Sequence, residues 1–444
     1  MSLELKNKRV YIHTLGCKVN QYESDAMMQS LIDEGCVRGS LEEGADIYII
    51  NTCSVTNIAD RKSRQMIHRM RKLSPNSIIA ATGCYVQATG NELVDNGTCD
   101  LIIGNNRKKD TARILSEYIV NKSTTDNYID INAEPDFENL SIAFPENHTR
   151  AYIKIQDGCN NFCTYCIIPY VRGRIRSRKL SNIIEEAALL ADNGVKELVL
   201  TGINVSSYRD DSYEADDTSD KDHYDLADVI SEVAKIDGIE RIRMSSVEPR
   251  VITDRFLDVV VNTPKFCPHF HLSLQSASNN TLKAMNRHYT IEEYMDTVER
   301  LRSVYDRPAI TTDVIVGFPG ETDEDFEDTF NNLSKLNLYE IHTFKYSRRK
   351  GTVADKMPNQ VEEQIKNERS EKILSLTAAQ KKSYEDSFKN EKDNILIEEI
   401  IEKDGIKYYR GHTTRYILVD VPVTSVSSES DEKKLINTLL EISL

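Results

Sequence analysis

The chain reads as an α/β protein in three parts. A parallel α/β unit covers 1–120, a linker 121–145, a partial (βα)6 barrel 146–376 and a small β-barrel 377–444. Three patterns lead to this reading. Short apolar strands alternate with helical periodicity through the first hundred residues. A second, longer strand–helix series follows a polar gap. The chain then changes to short strands around a hairpin turn. A length of 444 residues also suits about three domains.

In the first unit, V-Y-I-H-T is a strand that leads to Cys17, and a helical pattern runs from Tyr22 to Asp33. I-Y-I-I-N-T is a strand that leads to Cys53, with a basic helix to Lys72 after it, and I-I-A-A-T-G leads to Cys84. Such alternation predicts a parallel sheet, in which ligands bind beyond the carboxyl ends of the strands. Three strands thus deliver Cys17, Cys53 and Cys84 to one edge, a candidate three-thiol site. The competing reading is three ordinary buried thiols, the role given to Cys36, Cys99 and Cys267. The basic helix carries Arg61, Lys62, Arg64, His68, Arg69, Arg71 and Lys72 with no acid among them. It is either a nucleic-acid face or a solvated one. From Asn121 to Arg150 the chain is polar, includes Pro135 and Pro145, and reads as a linker.

The second series has the strands Y-I-K-I-Q-D, L-V-L-T-G, I-R-M-S-S, F-H-L-S-L-Q, I-T-T-D-V-I-V and I-H-T-F-K-Y, with helical patterns such as Ile183–Asp192 and Ile291–Val304 between them. Six strands are too few for a closed eight-stranded barrel, so a curved, open one is expected. Polar residues at the strand ends, Thr201, Asn204, Ser246, Glu248, Gln275, Ser276, Asp313 and Tyr346, should face its active site. The loop after the first strand reads D-G-C-N-N-F-C-T-Y-C, with Cys159, Cys163 and Cys166. Three thiolates in one loop can hold three irons of a 4Fe–4S cluster and leave the fourth open for chemistry. Chance would put three cysteines at fixed spacing in only about 0.4% of such chains, so the loop calls for a role. A structural zinc normally wants four ligands, and neither a second pair nor a histidine lies in the loop. Arg172, Arg174, Arg176, Arg178 and Lys179 follow directly and suggest phosphate contacts.

The last part opens with a charged helical connector, Ala378 to Asn390. I-L-I-E-E-I-I-E-K-D-G-I-K-Y-Y-R reads as two strands around an Asp404-Gly405 turn, and Y-I-L-V-D-V-P-V as a third. Tyr408, Tyr409, Arg410, Arg415 and Tyr416 could stack on and clamp RNA, or simply pack a β-domain.

A net charge of −15 argues weakly against nucleic acid, because local patches set binding. Much of the acidity lies between Asp210 and Asp228, which reads as a solvated insertion. No apolar run approaches the ~20 residues of a membrane span, and M-S-L-E-L-K-N-K-R-V has no signal-peptide core. A cytoplasmic protein with reduced thiols is expected, and nine cysteines, an odd number, argue against a disulfide framework.

The cysteine loop followed by a partial barrel resembles the radical S-adenosylmethionine (SAM) enzymes. T-L-G-C-K-V-N-Q-Y-E-S, with Cys53 and Cys84, is similar to the methylthiotransferases among them. So are R-M-S-S-V-E-P, H-L-S-L-Q-S-A-S, M-N-R-H-Y-T and T-D-V-I-V-G-F-P-G-E, and R-G-H-T-T-R-Y resembles their RNA-binding TRAM domain. T-L-G-C-K-V-N with Glu23-Ser24 most resembles the branch acting on N6-threonylcarbamoyladenosine at tRNA position 37. The isopentenyladenosine branch typically has G-C-Q-M-N there, and the ribosomal-protein branch G-C-x-K-N. The acidic segment looks longer than the family's usual connection.

The resemblance implies that Cys159, Cys163 and Cys166 hold a radical-generating 4Fe–4S cluster whose open iron binds SAM. It implies an auxiliary 4Fe–4S cluster on Cys17, Cys53 and Cys84. SAM contacts are expected from Thr201, Gly202, Asn204, Ser246, Gln275, Asp313 and Val314, with Thr312 to Gly317 on the adenine side. Substrate or RNA contacts are expected from Arg172, Arg174, Arg287, Tyr409 and Arg415. The implied partners are tRNA, an electron donor of the flavodoxin or ferredoxin type and a sulfur donor, with neither DNA nor membrane. The alternatives of another class are a zinc hydrolase and a non-catalytic RNA-binding iron–sulfur protein.

Overall fold

The computed structural model describes residues 3–123, 127–133, 136–143, 149–213, 222–426 and 434–444. Pro135, Pro145 and the middle of the acidic stretch, 214–221, lie outside these residues.

The first unit contains β1 (Arg9–Thr14), α1 (Lys18–Asp33), β2 (Val37–Arg38), β3 (Ile47–Thr52), α2 (Asn57–Leu73), β4 (Ile78–Gly83), α3 (Cys84–Thr89), α4 (Glu92–Asp95), β5 (Leu101–Ile103) and α5 (Thr111–Asn121). Its sheet is parallel, in the order β2-β1-β3-β4-β5. All six residues of β3 are buried, as a central strand covered by helices on both faces requires. α1 begins four residues before the expected Tyr22, because the Asn20 side chain anchors its first turn to the carbonyls of Leu15 and Thr52, at 2.7 and 2.9 Å.

The segment expected to be a polar linker is pinned to both neighbouring units. Leu140 and Ile142 bury against Tyr22 and Ala26 of α1, and the Tyr22 hydroxyl donates to the Leu140 carbonyl at 2.7 Å. At its start, the Gly104 amide donates to the Asn127 carbonyl at 2.7 Å. The apolar residues of this segment, Ile131, Leu140 and Ile142 among them, are scattered through a polar run without a helix or strand period, so they were not recognised as core.

The barrel consists of β6 (Arg150–Lys154), β7 (Gln156–Asp157), α6 (Ile168–Val171), β8 (Arg176–Ser177), α7 (Leu180–Asp192), β9 (Glu197–Thr201), α8 (Leu226–Ala234), β10 (Arg241–Met244), α9 (Asp254–Val261), β11 (His269–His271), α10 (Asn279–Ala284), α11 (Ile291–Val304), β12 (Ala309–Val316), α12 (Asp323–Leu336) and β13 (Glu340–Lys345). Six of its strands form two parallel sheets, β6-β9-β10 and β11-β12-β13, joined by the bridges Ile242↔Phe266 and Val247↔Leu272. The largest core lies between these strands and the outer helices, built on residues such as Ile153, Leu198, Ile242, Phe270 and Val314. The short antiparallel pair β7–β8 closes the neck of the cysteine loop.

α13 (Glu363–Asp386) packs along β13, starting well before the expected Ala378, and leads to β14 (Lys392–Lys403), β15 (Ile406–Thr413), β16 (Leu418–Pro422) and β17 (Leu439–Ser443). These four form an antiparallel half-barrel in the order β16-β15-β14-β17. Asp404 and Gly405 both take positive φ, 51° and 76°, in the expected hairpin turn. The half-barrel docks on the amino ends of the barrel strands. Arg241 and Arg243 donate to the carbonyls of His412, Asn394, Thr413 and Thr414. Tyr416 stacks between His412 and His269, with centroids 4.2 and 5.0 Å away. Among the described residues, no helix is long and apolar enough to cross a membrane.

Candidate functional site

The cysteine loop leaves β7 at the carboxyl end of the barrel. Gly158 precedes Cys159 with φ +73°, and an added Cβ would sit 1.9 Å from the Arg174 carbonyl oxygen, so only glycine fits the turn. Cys159, Cys163 and Cys166 line a cavity of about 320 Å³ with Asn204, Ser246, Glu248, Gln275, Arg287 and Asp313. Volumes of a few hundred Å³ suit a small-molecule cofactor. The opposite wall comes from Tyr346 and, across the domain boundary, from Val55 and Thr56, just after Cys53.

Burial acts on the Cys159 and Cys166 thiols in the same direction. Burial raises Cys166 to about 12, and the neighbouring Cys163 and Cys159 push the same way. Burial raises Cys159 as well. Such thiols stay protonated until a cation stabilises the thiolates. Arg287 answers this need: its Nη1 lies 3.3 Å from the Cys163 sulfur, while its Nη2 pairs with Glu248 at 3.2 Å. The Asn161 amide donates to the same Glu248 oxygen, at 2.5 Å.

Cys17, Cys53 and Cys84 also converge. A Cβ on Gly16 (φ +103°) would meet the Cys53 sulfur at 2.7 Å, so the chain beside Cys17 passes directly over Cys53. Burial lifts the Cys53 thiol to about 11, with Cys84 and Cys17 adding to the rise. Cys84 packs against Ile167, Ile168 and Val171, the helix that follows the first cysteine loop. The two triads therefore lie on either side of α6. Each has an arginine on one sulfur, because Arg172 Nε is 3.4 Å from the Cys84 sulfur. Two sets of three thiols, each with one cationic hydrogen-bond donor, fit two anionic clusters with one open iron apiece. Among the described residues, no three His, Cys, Asp or Glu side chains close on a single ion.

Beneath the second triad is a buried ion cluster. Glu23 of α1 bonds Lys108, Lys154 at 2.7 Å, and both amino groups of Arg172; all four residues are fully buried. Asp157 takes Lys154 at 2.6 Å and Arg172 at 3.4 Å. Burial alone would raise the Glu23 carboxyl, but Arg172, Lys108 and Lys154 hold it well below the usual carboxylate range. Asp157 is likewise brought to about 2 against its own burial. The cluster ties α1 and the loop before α5 to β6 and the cysteine loop.

The expected contacts divide on this geometry. Asn204, Ser246, Gln275, Asp313 and Arg287 face the cavity, as do Glu248 and Tyr346. Thr201, Gly202 and Val314 lie behind the lining residues: Thr201 and Val314 are buried, and Gly202 is packed against Gln156. Ser276 turns the other way, toward Thr329 of α12. Arg172, expected on a substrate phosphate, is fully buried with its donors committed to Glu23, Asn20 and Asp157. Arg176 and Arg178 are buried too, Arg178 against Glu186. Tyr409 is buried in the core of the half-barrel and is not placed for RNA, while the partly exposed Arg415 covers Phe388 and donates to the Asp306 and Arg307 carbonyls. Arg174 remains exposed, its guanidinium 4.5 Å from the Phe162 ring. Sequence reasoning missed Val55 and Thr56, which no motif or strand end flagged, and gave no role to Asn161 and Tyr165, although both lie within the cysteine-loop motif.

Residues 153–333 match the model of the radical SAM superfamily, and residues 9–104 match that of an uncharacterized protein family, UPF0004. The chain is 39% identical over 412 residues to the threonylcarbamoyladenosine tRNA methylthiotransferase MtaB of Bacillus subtilis, covering 92% of this chain and 89% of that one. It is 36% identical over 407 residues to a tRNA-2-methylthio-N(6)-dimethylallyladenosine synthase of Clostridium botulinum, covering 89% and 87%. A solved radical SAM methyltransferase from Kitasatospora setae, TsrM, shares the fold with a TM-score of 0.55 at 14% identity, over 76% of this chain and 73% of that one. With relatives of this identity along nearly its whole length, the chain belongs to the radical SAM methylthiotransferases, enzymes whose cofactors are SAM and 4Fe–4S clusters.

Proposed function

We propose that the protein methylthiolates C2 of N6-threonylcarbamoyladenosine at tRNA position 37. The observation that carries the reading is the juxtaposition of two three-thiol sets across α6, one of them opening on a cavity. In this reading Cys159, Cys163 and Cys166 hold the cluster that binds SAM, and Cys17, Cys53 and Cys84 hold the auxiliary one. Bound there, the clusters and SAM supply the one-electron chemistry and the sulfur that turn an unactivated aromatic C–H into C–S.

The chain's own residues do the positioning. Asn204, Ser246, Gln275 and Asp313 offer hydrogen bonds along the cavity wall to the polar groups of SAM, while Thr201, Gly202 and Val314 shape the backbone behind them. Arg287 balances negative charge at Cys163 and Arg172 at Cys84. Buried Tyr346 closes the far side, and Val55 and Thr56 form its rim. The exposed Arg174 offers a donor to the backbone or to the threonylcarbamoyl carboxylate.

The threonylcarbamoyl substrate is favoured by T-L-G-C-K-V-N around Cys17 and by the 39% identity to the Bacillus enzyme, against 36% for the dimethylallyl branch. The same reading places the protein in the cytoplasm, with a flavodoxin- or ferredoxin-type reductant and a sulfur donor. The test is a reconstituted reaction on two anticodon stem-loops, one with threonylcarbamoyladenosine and one with isopentenyladenosine. Methylthio product on the first alone supports the reading. Product on the second alone overturns the substrate.

A further inference from the structure

The arginines and tyrosines expected to clamp RNA are largely consumed inside the protein, as Arg172, Arg176, Arg178 and Tyr409 show. One positive surface that remains, besides the exposed Arg174, is α2. Its buried stripe, Ser63, Ile67 and Met70, faces the sheet of the first unit. At 100° per residue, Arg61, Lys62, Arg64, His68, Arg69 and Lys72 fall on the opposite half, and all six are exposed. Among the described residues, no acid forms an ion pair with Arg61, Lys62, Arg64, Arg69 or Lys72. Asp60 is turned away to Arg349 at 3.0 Å, and Asp100 pairs only with Arg71. In a chain of net charge −15, an uncompensated cationic helix face is a local exception.

Its position gives the face a direction. The α2 amino end is fastened to the cavity mouth, where Asn57 donates to Ser347 Oγ at 3.3 Å and to the Arg348 carbonyl at 2.5 Å. The mouth itself is apolar and exposed, with Val55, Ile58 and Phe344 at 57%, 58% and 47% exposure. From Arg61 to Lys72 the helix rises about 16 Å, long enough to meet several phosphates in succession. An apolar rim for bases that continues into a cationic ridge for phosphates suits RNA better than a protein surface.

We infer that the exposed face of α2 carries the phosphate backbone of the anticodon stem while the target nucleoside enters the neighbouring cavity. The inference rests on the proposed tRNA substrate, and phosphate contacts of this kind set affinity and register rather than sequence preference.

The test measures binding of a stem-loop RNA to the reconstituted protein between 50 and 200 mM salt. In Arg61→Gln/Lys62→Gln/Arg69→Gln/Lys72→Gln, the slope of log K against log salt should shrink by about 3, with affinity near 0.1 M salt down on the order of 100-fold. Arg61→Lys/Arg69→Lys, which keeps the charge, should hold the wild-type slope. The wild-type protein gives a second readout without any substitution: RNA should shield Lys62 and Lys72 from an amine-acetylating reagent. An unchanged slope in a folded, iron-loaded four-fold variant overturns the inference. So do lysines that stay as reactive with RNA as without it, an outcome that would assign the face to a protein partner. If the wild type modifies tRNA while these lysines stay reactive, only the docking face is lost. If they are shielded but no tRNA is modified, the substrate reading falls instead.

Discussion

Glu23→Gln should loosen the joint between the first unit and the barrel. The substitution keeps the side-chain volume, so no cavity opens and only the charge is lost. Arg172 and Lys154 retain Asp157 at 3.4 and 2.6 Å. Lys108 loses its direct ion pair and keeps the Asn105 amide oxygen, at 3.0 Å, with Glu138 as the remaining nearby carboxyl. Breaking a buried pair from one side costs about 3–5 kcal/mol, a large part of the about 5–15 kcal/mol that holds a domain folded. Hydrogen exchange on the amides of α1 and β6 reads this directly, since the joint opens locally before the whole protein unfolds. Their exchange should speed up at least a hundredfold at neutral pH, at about 1.4 kcal/mol per factor of ten. Adding Lys108→Met removes the orphaned charge and should restore at least half of the protection. The sign of the pH dependence is also set. A carboxyl depressed in the folded state stabilises above its unfolded value, and that stability is lost as pH falls through the folded one. Wild-type protection should therefore fall below about pH 4.5 more steeply than that of Glu23→Gln. Protection in Glu23→Gln within 1 kcal/mol of wild type, or a double variant no better than the single, would refute the ion-cluster reasoning.

Cys163→Ala should abolish SAM cleavage and remove about half of the bound iron, whereas Cys53→Ala should keep SAM cleavage and lose methylthio transfer; iron assay and product chromatography check both. Gly158→Ala should cost more than about 1 kcal/mol and lower the iron bound, because its Cβ meets the Arg174 carbonyl at 1.9 Å; full loading would show that the turn tolerates a side chain. Arg415→Ala should free the half-barrel, read as faster exchange in β14 and β15, and leave the salt dependence of RNA binding unchanged; a smaller slope would return Arg415 to the RNA interface. Glu197 is fully buried, and Arg243, Arg150 and Arg241 overcome the effect of burial to hold it at about 2. It contributes about 3 kcal/mol that is present above pH 4.5 and lost as pH falls toward 2, so acid unfolding of Glu197→Gln should be flatter over that window.

The parallel strands and the placement of the two cysteine sets were legible because each rests on a local rule. Apolar runs such as I-Y-I-I-N-T declare a buried parallel strand, and the residue just beyond such a strand must sit at the sheet's carboxyl edge, as Cys53 and Cys84 do. The same rule put Asn204, Ser246 and Gln275 on the cavity wall, whereas Asp313, expected at a strand end, reaches the wall from within β12. The rule failed for Ser276, because one residue beyond Gln275 the chain has already turned toward α12. The arginines misled because charge in a sequence does not say whether a partner waits inside. Glu23 lies 149 positions from Arg172, and no periodicity connects them. Tyr409 is one step from half-buried Tyr408 along β15, and its face depended on a register fixed only by pairing with Ile400 and Val421. Val55 and Thr56 join the cavity through a contact between units that lie 290 residues apart at Asn57 and Ser347, which sequence spacing cannot convey.

The most direct test of the account is nucleoside mass spectrometry of tRNA from a host that lacks its own methylthiotransferases, with and without this gene. The account predicts that 2-methylthio-N6-threonylcarbamoyladenosine appears only when the gene is present, and disappears again with Cys163→Ala. Appearance of the isopentenyl product instead would keep the chemistry and contradict the substrate. Unchanged tRNA from cells that contain the iron-loaded protein would contradict the central claim.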